Sequence, residues 1–144
     1  MVTPAGKTPR RAEVAKSPLP MKPPAAPLEV IDLEAETAQL REARPWRLHG
    51  QSAKTLVKHE HFRVVLMAMK AGRQCQEHRA EESVSAQAVE GDVRVHLTSR
   101  ETVDLKAGNL LALAPALAHH FEAVSDSILL LTMAWTGHRG AGTH

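Results

Sequence analysis

Val84-Ser85-Ala86-Gln87-Ala88-Val89-Glu90-Gly91-Asp92-Val93-Arg94-Val95-His96-Leu97 is the stretch whose reading decides the fold. In its second half Val93, Val95 and Leu97 alternate with Arg94 and His96, the pattern of a strand with one buried face. Val84 to Val89 reads as another strand, stopped by the turn Glu90-Gly91-Asp92. Working outward, the same signature recurs on both sides. Upstream lie Thr55-Leu56-Val57, a turn around His59-Glu60-His61, and the apolar run Phe62 to Met69, which Gly72 ends. Downstream, the polar turn Ser99-Arg100-Glu101 precedes Thr102 to Leu105, and Lys106-Ala107-Gly108 turns again. Leu110 to Leu113 comes before Pro115, His119 to Val124 before Ser125-Asp126-Ser127, and Ile128 to Trp135 is the last strand. About eight short strands, with turn signals every eight to twelve residues, define an all-β sandwich or closed barrel.

The 144 residues allow one domain and little else. Apolar residues make up 43% and charged residues 24%, values of a soluble globular chain. No stretch approaches the ~20 apolar residues that span a bilayer, and no apolar core follows the basic N-terminus as in a secretory signal. Cys75 is the one cysteine, which rules out an internal disulfide and fits a reducing, cytoplasmic setting. Trp46, Phe62, Phe121 and Trp135 are the aromatic residues, too few for a base-stacking platform.

Charge and proline divide the chain. Residues 1–28 hold seven of the nine prolines and carry Lys7, Arg10, Arg11, Lys16 and Lys22 against Glu13. The basic balance belongs to this arm, so the body lacks the clustered cations of a nucleic-acid-binding face. Proline has no amide donor and restrains its predecessor, which predicts a disordered arm of polyproline character over 1–28. The arm is either a plain extension or a partner-binding segment. A short helix follows: Asp32 is its N-cap, Leu33 and Leu40 share a face, and Pro45 ends it. It either closes one end of its own domain or forms a dimer contact. The domain itself extends over 29–136, and residues 137–144 form a flexible tail.

Several chemistries are excluded by missing motifs. There is no Gly-x-Ser-x-Gly, no phosphate-binding Gly-x-x-x-x-Gly-Lys, no dinucleotide Gly-x-Gly-x-x-Gly, and no Cys-x-x-Cys or His-Glu-x-x-His. What remains is a set of glycines and histidines among the strands. Gly72, five residues, His78, twelve residues, Gly91 is one group, and Gly108, Pro115 and His119 form another.

This spacing resembles the cupin family over roughly residues 55–135. Gly72, His78 and Gly91 match the first cupin motif without a gap, with Ala80 in place of its second histidine and Val84 in place of its glutamate. Gly108 through Ala114-Pro115-Ala116-Leu117-Ala118-His119 is similar to the second motif. Ala116 stands where the family has a glycine, and Pro115 comes one place later than the family proline. Ala53-Lys54-Thr55-Leu56-Val57-Lys58 and Arg63-Val64-Val65-Leu66 look like the opening of many small bacterial cupins.

The resemblance implies a single cupin-type jelly-roll barrel with three histidines and a carboxylate converging on a divalent metal. Here it supplies His78 and His119 alone as metal ligands. Iron, manganese, nickel or zinc would need further donors: Gln76, which shares the facing of His78, or Glu81 or Glu82 from the following loop. Alternatively His78, His119 and Gln76 line a small polar pocket for a small-molecule ligand. The function classes are therefore a small-molecule-binding or structural module, and a metal-dependent enzyme of oxygenase or isomerase type. A homodimer paired through segment 54–69 is expected, with no specific nucleic acid and no membrane partner. Among other residues, His120 should point to the opposite strand face from His119, His59 and His61 should sit on a solvated hairpin, and Cys75 should pack outside the pocket.

Overall fold

The computed structural model describes residues 27–75, 82–98 and 100–134. Two helices, α1 (Leu33–Glu42) and α2 (Arg44–His49), precede eight strands: β1 (Gln51–His59), β2 (Phe62–Met69), β3 (Ser83–Glu90), β4 (Asp92–Leu97), β5 (Thr102–Lys106), β6 (Leu110–Leu113), β7 (His119–Ala123) and β8 (Ser127–Ala134). The strands form a five-stranded sheet, β1-β2-β8-β3-β6, and a three-stranded sheet, β5-β4-β7, antiparallel throughout. Every strand expected from the alternation is present. The two sheets face each other, but among the described residues no ladder joins them into a closed barrel: β1 and β6 edge one sheet and β5 and β7 the other.

Alternation along each strand builds the core. Met69, Ala86, Ala88, Val93, Val95, Leu105, Phe121, Ala123 and Leu129 are buried between the sheets. Each large member contributes about 1.5–3 kcal/mol of transfer free energy. The chain passes from one sheet to the other at Gly91, whose φ of 81° is left-handed. A Cβ there would collide with the Asp126 carbonyl, so glycine is required on two counts.

A second apolar layer lies behind the five-stranded sheet. Leu40 and Trp46 from the helices pack with Leu56, Leu66, Ala68 and Ile128. α1 begins as expected: the Asp32 carboxylate accepts from the Ala35 amide at 3.1 Å. It stops at Ala43, and Pro45 then starts a second helix that the sequence pattern did not announce. Proline is tolerated in a first turn, where its missing amide has no partner to lose. α2 ends on Gly50, whose amide bonds the Trp46 carbonyl at 2.9 Å. The helix thus packs on its own domain, with Lys54 from β1 at 2.5 Å from Glu36 of α1.

The arm over 1–28 lies outside the described residues except for Pro27 and Leu28, and the tail over 137–144 lies outside them entirely. No helix among the described residues is long and apolar enough to cross a membrane.

Candidate functional site

The topology gives the sandwich two unlike ends. β3 and β4 meet at Gly91, so Val84 and Leu97, at their far termini, both lie at the opposite end. His119 begins β7 and is the register partner of Leu97, which places it at that same end. Around Gly91 the space between the sheets is filled by fully buried side chains such as Met69, Ala88, Val93 and Leu129. Toward His119 the inward residues Leu97, Leu111 and Leu131 are only partly buried. The His119 end is therefore the mouth.

His119 is 4% exposed and is the one buried histidine among the described residues. Its ring meets Phe121 edge-on, with centroids 5.3 Å apart and planes at 70°. Its Nδ1 lies 2.8 Å from the Leu117 carbonyl oxygen. A carbonyl only accepts, so Nδ1 carries the hydrogen of this bond. An imidazole held in this way is oriented for a ligand, because the backbone bond fixes both tautomer and ring plane.

The last inward row of the five-stranded sheet adds charge. Arg63 pairs with Met133, Met133 with Val84, and Val84 with Leu113, while Lys58 pairs with Arg63 from β1. By alternation Arg63 shares the face of Val65 and Met67, which line the gap between the sheets. Arg63 is half-buried, with Nε shielded from solvent. In the sequence, Phe62 to Met69 is largely apolar on both faces, so no alternation marks Arg63, although steps of two back from Met67 reach it.

The other expected residues divide clearly. Gln76, His78 and Glu81 lie outside the described residues. Glu82 is half-buried at the bend before β3. Val84 is 7% exposed and points inward, so an aliphatic side chain occupies the carboxylate position that the resemblance marks. His120 lies on the face opposite His119, and His59 and His61 are exposed at the β1–β2 turn, all as expected. Cys75 does not pack outside: it is 9% exposed within the inter-sheet core, 3.8 Å from the Phe121 carbonyl. It lies outside the regular strands, next to the Gln74–Glu122 bridge. Burial pushes its thiol above the ordinary pKa, against a smaller lowering by the Phe121 backbone bond.

Ala116, where the resemblance has a glycine, has a left-handed φ of 67°. The backbone shape of the turn into β7 is thus kept although the residue that suits it is absent.

Known structures share this shape. A cupin described as RmlC-like from Shewanella frigidimarina superposes with a TM-score of 0.56 at 20% identity, over 61% of this chain and 78% of that one. The chain has the cupin fold. A variant of salicylate 1,2-dioxygenase from Pseudoaminobacter salicylatoxidans superposes with a TM-score of 0.68 at 17% identity, over 79% of this chain. This cupin-fold chain spans 37% of that dioxygenase. KdgF from Halomonas sp. gives a TM-score of 0.55 at 20% identity, over 61% of this chain and 82% of that one. No protein-family model matches the sequence, and no curated protein is significantly similar to it.

The described residues do not make the metal set that the resemblance implies. His119 supplies one imidazole at the mouth, and Val84 has no lone pair to offer. No three described His, Cys, Asp or Glu side chains stand together so as to hold an ion.

Proposed function

We propose that this cupin-fold chain is a small-molecule-binding module, its ligand entering between the sheets at the His119 end. The observation that carries the reading is the buried His119 ring, held by the Leu117 carbonyl among apolar walls. A concave, mostly apolar site with a few fixed polar groups is the usual form of a small-molecule pocket. Lys58 and Arg63 on the terminal row favour a ligand with an apolar body and an anionic group. Val84 in the carboxylate position supports binding without metal chemistry.

Metal analysis of protein purified without added metal tests this. Absent metal, together with a rise in melting temperature on titrating small carboxylates that disappears in His119→Ala, is the expected result. Near-stoichiometric iron, manganese, nickel or zinc that is lost in His78→Ala and His119→Ala overturns it in favour of a metal-dependent oxygenase or isomerase.

We also infer a homodimer formed on the five-stranded sheet side. β1 is an edge strand, with edge groups open to pairing. Behind the sheet, away from the helices, the row Thr132–Ser85–Ala112 and the neighbouring Gln87 and Leu110 carry no charge, and Leu110 is 65% exposed. Such a face can meet its own copy without like-charge repulsion.

A further inference from the structure

α2 and the turn after β2 bring together cations that stand in separate stretches of the sequence. The carbonyl of Gly50, which caps α2, accepts from the Lys70 amide at 2.8 Å. A Cβ on Gly50 would stand 3.4 Å from the Lys70 side chain and 3.5 Å from that of Arg73. Trp46 is the fixed centre: Lys70 Nζ lies 5.2 Å from its ring centroid, and the Arg41 guanidinium carbon lies 6.0 Å from it. Arg44, Arg47 and Leu48 are spaced by three and four on α2, so they share its outer face. All three are exposed, as are Lys70 and Arg73, and Leu48 is 60% exposed. Two of the neighbouring acids are committed. Glu90 is held by Arg41 at 2.9 Å, and Asp126 accepts from the Ala71 amide at 2.9 Å. Glu42 offers Arg47 its backbone carbonyl at 3.0 Å. Among the described residues no carboxylate pairs with Arg44, Lys70 or Arg73.

We propose that Arg44, Arg47, Leu48, Lys70 and Arg73 form a docking surface for an acidic peptide segment of a partner protein, one with apolar residues among its carboxylates. Guanidinium groups pair with carboxylates through two parallel bonds, and the lysine adds a point charge. Leu48, exposed between these cations, gives an apolar peptide side chain something to cover. A nucleic-acid backbone would meet the cations but leave Leu48 uncovered, and Trp46 is buried, so it offers no face for stacking bases. An anionic membrane asks for more apolar surface. A single myristoyl chain binds only marginally, and Leu48 on a six-residue helix inserts far less. The surface is also held in place. Trp46 packs with Leu66 and Ile128 behind the sheet, so α2 presents its cations on a fixed support. The start of β1 pairs with Met69, and Met69 with Ser127 beside Gly91, which puts this patch at the Gly91 end of the sandwich. It is remote from the mouth and does not depend on the ligand-binding reading.

Fluorescence anisotropy of the full-length protein with a fluorescein-labelled peptide, Glu-Glu-Leu-Glu-Glu-Leu-Glu-Glu, tests the proposal. The expected result is saturable binding that weakens as salt rises. Affinity should fall about tenfold or more in the double variants Arg44→Glu/Arg47→Glu and Lys70→Glu/Arg73→Glu, about threefold in Leu48→Ser, and hold in His119→Ala. It should also hold when Lys7, Arg10, Arg11, Lys16 and Lys22 of the N-terminal arm are replaced with serine. Loss of binding in that arm variant alone, or unchanged affinity in both charge-reversed pairs, overturns the proposal. So does equal or tighter binding of mixed-sequence duplex DNA or of phosphatidylserine vesicles, which would make the patch a general polyanion or lipid surface. A readout independent of variant folding is the amide spectrum of the unaltered protein. The peptide should shift amides within residues 44–50 and 70–73, and resonances that stay in place there sink the proposal.

Discussion

His119 hydrogen-bonds the carbonyl of Leu117, two residues before it, at 2.8 Å, so the bend in the backbone that leads into β7 also holds the ring. The bond is local. Replacing His119 with leucine removes this bond, which should cost about 1 kcal/mol by urea titration. The same variant should lose the thermal response to small carboxylates. A loss of several kcal/mol with ligand response intact would make His119 a structural residue.

Ala116 sits at φ 67° in the turn that delivers His119. The left-handed region costs an alanine about 1 kcal/mol more than a glycine, offset in part by glycine's freer unfolded chain. Ala116→Gly should thus stabilise the protein by about 0.5–1 kcal/mol, read as a raised midpoint in chemical denaturation.

Gly91 is the opposite case. Its φ of 81° is left-handed, and a Cβ would meet the Asp126 carbonyl and the Ser127 hydroxyl oxygen at 2.5 Å. Gly91→Ala should destabilise by about 2–4 kcal/mol. Calorimetry that placed its melting temperature at the unaltered value would show that the turn relaxes freely.

Cys75 predicts an alkaline effect. Its thiol is raised in the folded state, chiefly by burial, so the native protein holds that proton more tightly than the unfolded chain does. The stabilisation is complete below the unfolded thiol pKa of about 8.5 and is lost as pH rises above it. Between pH 8 and 10, Cys75→Ala should lose stability less steeply than the unaltered protein. Parallel slopes would rule out the contribution.

Pairing through the uncharged sheet face predicts a dimer by light scattering. Leu110→Lys and Thr132→Lys put cations on neighbouring rows of that face and should yield monomers of unchanged melting temperature. A monomeric unaltered protein at high concentration would remove the basis for the homodimer.

The fold was legible because burial on a strand has a period of two. Val93, Val95 and Leu97 against Arg94 and His96 announce their own geometry, and the turns at Gly91 and Gly108 mark where it stops. α2 was not legible, because six residues around Pro45 hold no periodicity and form a helix only when Trp46 finds Leu66 and Ile128 behind the sheet. Arg63 was hidden for a related reason: Phe62 to Met69 is covered on one face by the other sheet and on the other by the helices, so both faces are apolar.

Local chemistry was thus enough to say where strands begin and end, which backbone positions need glycine, and that His119 and His120 point to opposite sides. It could not say which strands become neighbours. Pairing is decided by how long-range surfaces fit, and it alone brought His96 onto His120, set Leu97 beside His119, buried Cys75, and left the two sheets unclosed.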